Sequence, residues 1–178
     1  SDAISARAEH PLVGRGFLLI TTLQGGGFIA VPERCTLSLI RKLLPGESLD
    51  TAAAELEAVI RGAISDPDIT IDIAYPAGRD HALGGTAAEI DLTHPALAML
   101  QESIGKAMDG RGGIEGAPFW SESPFFVNGL GIPAVYCAPG DIRNCHTFEE
   151  RVSVEEYLAG VVAFASFIAR FCGVEDNN

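Results

Sequence analysis

Apolar and polar residues alternate along residues 35–40 (C-T-L-S-L-I), which puts Leu37 and Leu39 on one face of a half-buried strand. The alternation returns at residues 69–74 (I-T-I-D-I-A) and predicts another strand. Residues 17–23 (F-L-L-I-T-T-L) are rich in β-branched and aromatic side chains and run into Gly25-Gly26-Gly27, as a strand stopped by a flexible turn does. Between these stretches the period changes. After the Pro45-Gly46 turn, Leu49, Ala53, Leu56, Val59, Ile60 and Ile64 recur at helical spacing. A helix capped by Ser48 and closed before Pro67 is expected. Strand, strand, helix, strand is a compact α+β unit.

The second half has a different rhythm. Residues 77–85 are polar and glycine-rich and read as a crossing between two domains, 10–77 and 86–178. Thr93 is placed to cap a helix from Pro95 to about Met108, with proline at its first position. A glycine-rich loop follows at 109–117, then a short helix at 121–128 and a buried strand at 132–137, bounded by Pro133 and Pro139. Ser153 opens the last helix in a capping box with Glu156. Its apolar stretch, 157–171, is interrupted by Gly160, Ser166 and Arg170, which suits a core helix. This order resembles the end of a parallel α/β sheet, where the loop after a strand lies at the ligand-binding carboxyl edge. His146 sits in that loop, just after Pro139-Gly140-Asp141.

Composition narrows the classes. A hydrophobic fraction of 47% predicts a packed core, with only residues 175–178 reading as a loose tail. A formal charge of −12 argues against nucleic acid and anionic membranes, which call for a basic face. Neither a signal-peptide core at the start nor an apolar run long enough for a membrane helix is visible, so an acidic cytoplasmic protein is expected. The four cysteines include no C-x-x-C pair and are expected as free thiols. Cys145 beside His146 invites a nucleophile–base reading, but adjacent residues seldom orient that way and no third orienting group is evident.

Several short motifs, taken in order, resemble the peptidase M20 family, which includes acetylornithine deacetylase, succinyl-diaminopimelate desuccinylase, aminoacylases and glutamate carboxypeptidases. Gly25-Gly26 followed by Val31-Pro32-Glu33-Arg34-Cys35 is similar to one stretch of that family's lid domain, and Arg41 with Leu44-Pro45-Gly46-Glu47 to the next. Residues 118–123, Gly131-Ile132-Pro133, Pro139-Gly140-Asp141 and His146-Thr147 through Glu150 resemble its C-terminal signature. The Pro-Gly-Asp-Ile form is nearest to the acetylornithine deacetylase branch.

The resemblance implies an α/β fold: a partial α+β lid (dimerisation) domain followed by the C-terminal part of a zinc-peptidase-like α/β catalytic domain. It implies two zinc ions in the whole enzyme, hydrolysis of a small N-acyl amino acid or peptide, and a homodimer. The metals would polarise the amide carbonyl and acidify a bridging water. His146 matches a metal-ligand histidine, which the surrounding motif favours over a loop histidine bonded to backbone. Glu150 matches the acid that orients that histidine, or is an exposed acid before the last helix. Arg41 matches a binder of the substrate carboxylate, or is an edge-strand arginine in a surface pair. Gly140 would let the backbone approach substrate, or is an ordinary turn glycine.

The departures matter as much. The family's His-x-Asp, bridging Asp and Glu-Glu pair have no match here. His10, His81, His94 and His146 are followed by Pro-Leu, Ala-Leu, Pro-Ala and Thr-Phe. The lid asparagine falls at Ile29, and the family's Ser/Thr-Asp-Ala falls at Ser121-Glu122-Ser123. The expectation is a piece of such an enzyme that begins midway through the lid and is inactive alone. A non-catalytic dimerisation or binding module is the alternative.

Overall fold

The computed structural model describes residues 2–29, 31–76 and 78–173. Ala77, where the expected crossing begins, and the expected tail at 175–178 lie outside the described residues. The chain divides into two compact units, Ser1–Glu89 with Gly116–Ile132, and Ile90–Glu115 with Pro133–Asn178.

The first unit is mixed α and β. A short helix α1 (Asp2–Ser5) leads to two-residue strands β1 (Glu9–His10) and β2 (Gly14–Arg15), paired antiparallel. The hairpin β3 (Phe17–Gly25) and β4 (Cys35–Lys42) runs in register from Phe17 opposite Lys42 to Gly25 opposite Cys35, with an irregularity between Ile20 and Thr22. Both strands are those the apolar pattern predicts. Helix α2 (Leu49–Gly62) follows, and the Ser48 hydroxyl accepts from the Thr51 N–H at 3.4 Å, as the sequence suggests. Leu44, Ala52 and Ala53 are buried apolar residues of this unit.

One expectation fails here. Residues 69–74 form no strand; Ile71 and Ile73 are half-buried while Thr70, Asp72 and Ala74 are exposed. The period-2 pattern survives in burial only from Ile71 on, since Ile69 is 52% exposed, and no strand among the described residues supplies a ladder. The short helix expected at 121–128 is present at 123–130, widened over Phe125–Gly129, and ends before Gly131 at φ 65°.

The segment 116–132 is tied to the first unit by specific contacts. The Trp120 indole N–H donates to Asp80 at 3.2 Å, and the Arg79 guanidinium stacks 4.4 Å over the same ring. Gly116 lies so close to Leu12 that a Cβ would meet its carbonyl oxygen at 2.3 Å. No larger residue fits there without movement.

The second unit contains helices α3 (Pro95–Ala107) and α4 (Val154–Cys172), packed together. The Ser153 hydroxyl caps α4 by accepting from the Glu156 N–H at 3.4 Å. The cap of α3 is His94, whose Nδ1 accepts from the Ala96 N–H, and not Thr93. The Thr93 hydroxyl is committed to Asp91 at 2.7 Å, so the imidazole takes the capping role. Ser103, 1% exposed, is the buried point between the helices; its hydroxyl donates to Met99 O, and Arg170 donates to that hydroxyl at 3.3 Å.

The strand expected at 132–137 is not formed, and no strand occurs among the described residues of this unit. Ile132, Val135 and Tyr136 are 44–50% exposed, not buried. A strand is defined by its neighbour, and no strand among the described residues pairs with this stretch. Nor is 157–171 a core helix: one side of α4 is exposed. The packed core implied by composition reduces, among the described residues, to five buried hydrophobics. No described helix is long and apolar enough to cross a membrane.

Candidate functional site

The loop from Pro139 to Arg151 braces itself. Gly140 has φ 100°, a conformation that favours glycine, although a Cβ there would make only ordinary contact with Val152 at 3.6 Å. Its requirement is conformational, not spatial. Asp141 then caps a 3₁₀ turn, Ile142–Asn144, accepting from the Arg143 N–H at 2.9 Å and from its guanidinium at 2.5–3.0 Å. Those Arg143 side-chain bonds, with the backbone bond second, hold the Asp141 carboxyl down at about 2. The Asn144 carbonyl accepts from the Thr147 hydroxyl at 2.7 Å, and the Thr147 hydroxyl accepts from the Glu149 N–H at 3.2 Å.

This bracing holds His146 at φ 60°, the only positive φ among the described non-glycine residues. A left-handed backbone costs an L-residue roughly 1–2 kcal/mol, so the surroundings must impose it. Glu150 is the clamp: its Oε2 accepts the His146 backbone N–H at 3.1 Å. The structure thus joins His146 to Glu150, but through the main chain and not through the ring.

The other three histidines share a pattern. His10 Nδ1 accepts from the Leu12 N–H, His81 Nδ1 from Leu83, and His94 Nδ1 from Ala96, each at 3.2 Å. A neutral imidazole accepting at Nδ1 carries its proton on Nε2. In His10 that nitrogen meets Glu89 at 3.0 Å, and in His81 it faces Asp50 at 3.8 Å. These three rings are used in turns and a helix cap. The His146 ring is exposed and makes no hydrogen bond to another described residue.

Arg41 lies in the other unit, at the end of β4. Its side chain is only 10% exposed and reaches Glu47 at 3.4 Å, Glu55 at 3.1 Å and the Ala52 carbonyl at 3.0 Å. Its Nε is buried with no partner. Glu55 also receives Arg7 at 2.7 Å, and the two guanidinium bonds, Arg7 first, lower its carboxyl. The second Glu47 oxygen accepts the Leu44 N–H at 2.7 Å. Arg41 is therefore engaged internally in this state.

A cleft of about 240 Å³ is lined by Asp80, Thr86, Pro124, Phe125, Asn128 and Gly129. Its polar groups face one another. Asp80 accepts from the Thr86 N–H, the Thr86 hydroxyl and Trp120, while the Asn128 amide donates to Thr86 Oγ1 at 2.9 Å and Ala87 O at 3.0 Å. The cluster fastens the fold, and neither Asp80 nor Trp120 stands out in the sequence as a partner of the other.

All four cysteines are free. Burial pushes the Cys137 thiol up, which keeps it protonated. No hydrogen bond joins Cys145 to the His146 ring. Two zinc ions need about six protein ligands between them. Among the described residues no three His, Cys, Asp or Glu side chains converge to hold a metal, so these residues do not form such a centre by themselves.

No protein-family model matches the chain, and no solved structure matches it. Two curated proteins are similar to it. The N-formyl-4-amino-5-aminomethyl-2-methylpyrimidine deformylase of Bacillus subtilis is 27% identical over 159 residues, 84% of this chain and 37% of the relative. The acetylornithine deacetylase of Myxococcus xanthus is 26% identical over 155 residues, 86% of this chain and 38% of the relative. The chain therefore spans under two fifths of the length of these relatives, both named for removing a small acyl group.

Proposed function

We propose that the chain forms part of a deacylase of the M20 type, a hydrolase that removes a small acyl group from nitrogen, and that it is inactive alone. Similarity to a deformylase and a deacetylase supports the reaction class. The observation that carries the assignment of chemistry is His146. It is the one described histidine whose ring is left unused, and it stands on a strained backbone that Glu150 and the Asp141 turn hold in place.

In this reading His146 contributes one ligand to a zinc centre whose other ligands come from outside this chain. Glu150 positions the loop. Gly140 keeps the turn before it open to the approach of a substrate. Arg41 binds the substrate carboxylate once Glu47 and Glu55 release it; its planar guanidinium suits that bidentate task. The substrate is a small N-formyl or N-acetyl amino acid or peptide.

Hydrolysis of N-formyl and N-acetyl amino acids with added zinc tests this. No turnover is expected from the chain alone, and turnover is expected from a longer polypeptide that supplies the remaining ligands. His146→Ala in that polypeptide should lower bound zinc, measured by metal analysis, as well as rate. Turnover by this chain alone would sink the proposal.

A second reading rests on the hairpin. Leu19, Ile20, Leu23, Leu37 and Ile40 are 46–68% exposed on strands with open edges. That is a surface through which a homodimer or binding module would form. Sedimentation decides: a strictly monomeric chain at high concentration counts against it.

A further inference from the structure

Residues 144–147 form a type II β-turn. Cys145 has φ −62° and ψ 139°, His146 has φ 60°, and the Thr147 N–H donates across them to the Asn144 carbonyl at 3.3 Å. The third position of such a turn needs a positive φ and favours glycine or asparagine, because a Cβ is disfavoured there. This chain places an imidazole at that position instead. Left to itself, the segment would relax to a backbone that an L-residue prefers, so the closing contact has to be held.

Thr147 holds it. Its hydroxyl donates to the same Asn144 carbonyl at 2.7 Å and so doubles the bond that closes the turn. The hydroxyl oxygen also accepts the Glu149 N–H at 3.2 Å, and the Thr147 carbonyl accepts the Glu150 N–H at 3.2 Å. Thr147 is therefore the corner shared by two consecutive turns, 144–147 and 147–150, with its N–H, hydroxyl and carbonyl all engaged. The other braces act less directly on His146. Asp141 fixes the preceding 3₁₀ turn through Arg143. Glu150 reaches the His146 N–H through a longer, exposed side chain, whose starting point the second turn sets. A β-branched side chain with one restricted torsion is the stiffer tie.

We propose that Thr147 is the positioning residue for His146. Its hydroxyl, tied to Asn144 on one side and Glu149 on the other, keeps the His146 backbone left-handed and so sets the direction in which the ring leaves the loop. The proposal rests on the reading above only in giving that ring chemical work. Thr147 acts through His146 alone.

Nuclear magnetic resonance on the chain itself tests the geometry. At φ 60° the N–H and Cα–H bonds of a residue eclipse, so His146 should give a strong intraresidue Overhauser peak between these protons. Thr147→Ser keeps the hydroxyl and should keep the peak. Thr147→Val keeps the shape without the hydroxyl and should weaken the peak severalfold as His146 returns to negative φ, with helix content unchanged. In the longer polypeptide, Thr147→Val should weaken zinc binding by about 10–100-fold in chelator competition, and Thr147→Ser should retain it. Four results overturn the proposal: a weak peak in the native chain, a strong peak that survives Thr147→Val, a peak lost equally in Thr147→Ser, or zinc affinity unchanged by Thr147→Val. A longer polypeptide that neither binds zinc nor hydrolyses N-acyl amino acids sinks the deacylase reading, while the peaks still decide whether Thr147 holds His146. Hydrolysis with zinc affinity unchanged by Thr147→Val does the reverse.

Discussion

At the scale of single residues, backbone conformation separates His146 from its three counterparts more clearly than sequence does. Each of the four histidines stands near a turn or helix start, and nothing in the residue order says which ring is spent on a backbone N–H. The Pro-Gly-Asp context makes His146 legible as a candidate; its φ of 60° and the Glu150 clamp are not legible, because both depend on the closed loop. If the left-handed backbone is strained, His146→Gly should raise stability by about 1 kcal/mol over His146→Ala, since glycine adopts that region freely. Paired thermal melts check this, and equal melting of the two variants would remove strain from the account. Gly85 offers a test of the Trp120 anchor. A Cβ there would lie 2.2 Å from the indole nitrogen, so Gly85→Ala must displace the ring. A loss of about 1–3 kcal/mol is expected from such overpacking. Trp120 is the chain's only tryptophan, so its emission reports the displacement directly. An unshifted spectrum would contradict the packing.

At the scale of elements, what could be read in advance was local and what could not was paired. The caps at Ser48 and Ser153 are contacts within four residues, and both hydroxyls accept the backbone N–H expected of them. The Glu156 carboxylate that a capping box would return to Ser153 pairs with Arg111 instead. The β3–β4 hairpin formed because both of its strands lie close in sequence around one glycine turn. Residues 69–74 and 132–137 carry equally good strand patterns, yet a strand pattern specifies a face and not a neighbour. The α3–α4 pair is held by a polar link that periodicity could not show. Hydrogen bonds from Lys106 and then Arg170 depress the Glu102 carboxyl from 4.5 to about 2. Because its pKa is lower in the folded state, this group stabilises the fold above 4.5, and the contribution disappears as pH falls from 4.5 through about 2. The melting gap between the native chain and Glu102→Gln should therefore be widest at neutral pH and close near pH 2. Glu102 is exposed, so the gap should be modest and should shrink in salt. A gap that does not change with acid would show that the ion pairs do not couple to folding. Asp141 titrates over a neighbouring range, and comparison with Glu102→Gln cancels its share.

At the scale of the whole molecule, apolar composition and apolar burial have come apart. The sequence is 47% hydrophobic, which read in isolation implies a core. The described residues bury Leu44, Ala52, Ala53, Leu100 and Ala163 and leave the largest side chains of β3, β4 and α4 in contact with solvent. Composition counts apolar residues without saying what they face, so this difference was not available from the sequence. The formal charge of −12 offers one reason why such a chain could stay dispersed, since like-charged molecules repel. A direct comparison of the two sides of α4 follows. Leu158→Ser and Val162→Ser alter side chains 58% and 59% exposed, and each should change stability by no more than about 0.5 kcal/mol. Ala163→Leu forces three further heavy atoms into a position 4% exposed against α3 and should cost about 1–3 kcal/mol. The serine variants should also bind less of a dye that reports exposed apolar surface, while Ala163→Leu should bind at least as much. Urea melts with dye titration measure both. If the serine variants lose as much stability as Ala163→Leu, the Leu158 side of α4 is already covered in the isolated chain, and the helix has its partner within these residues.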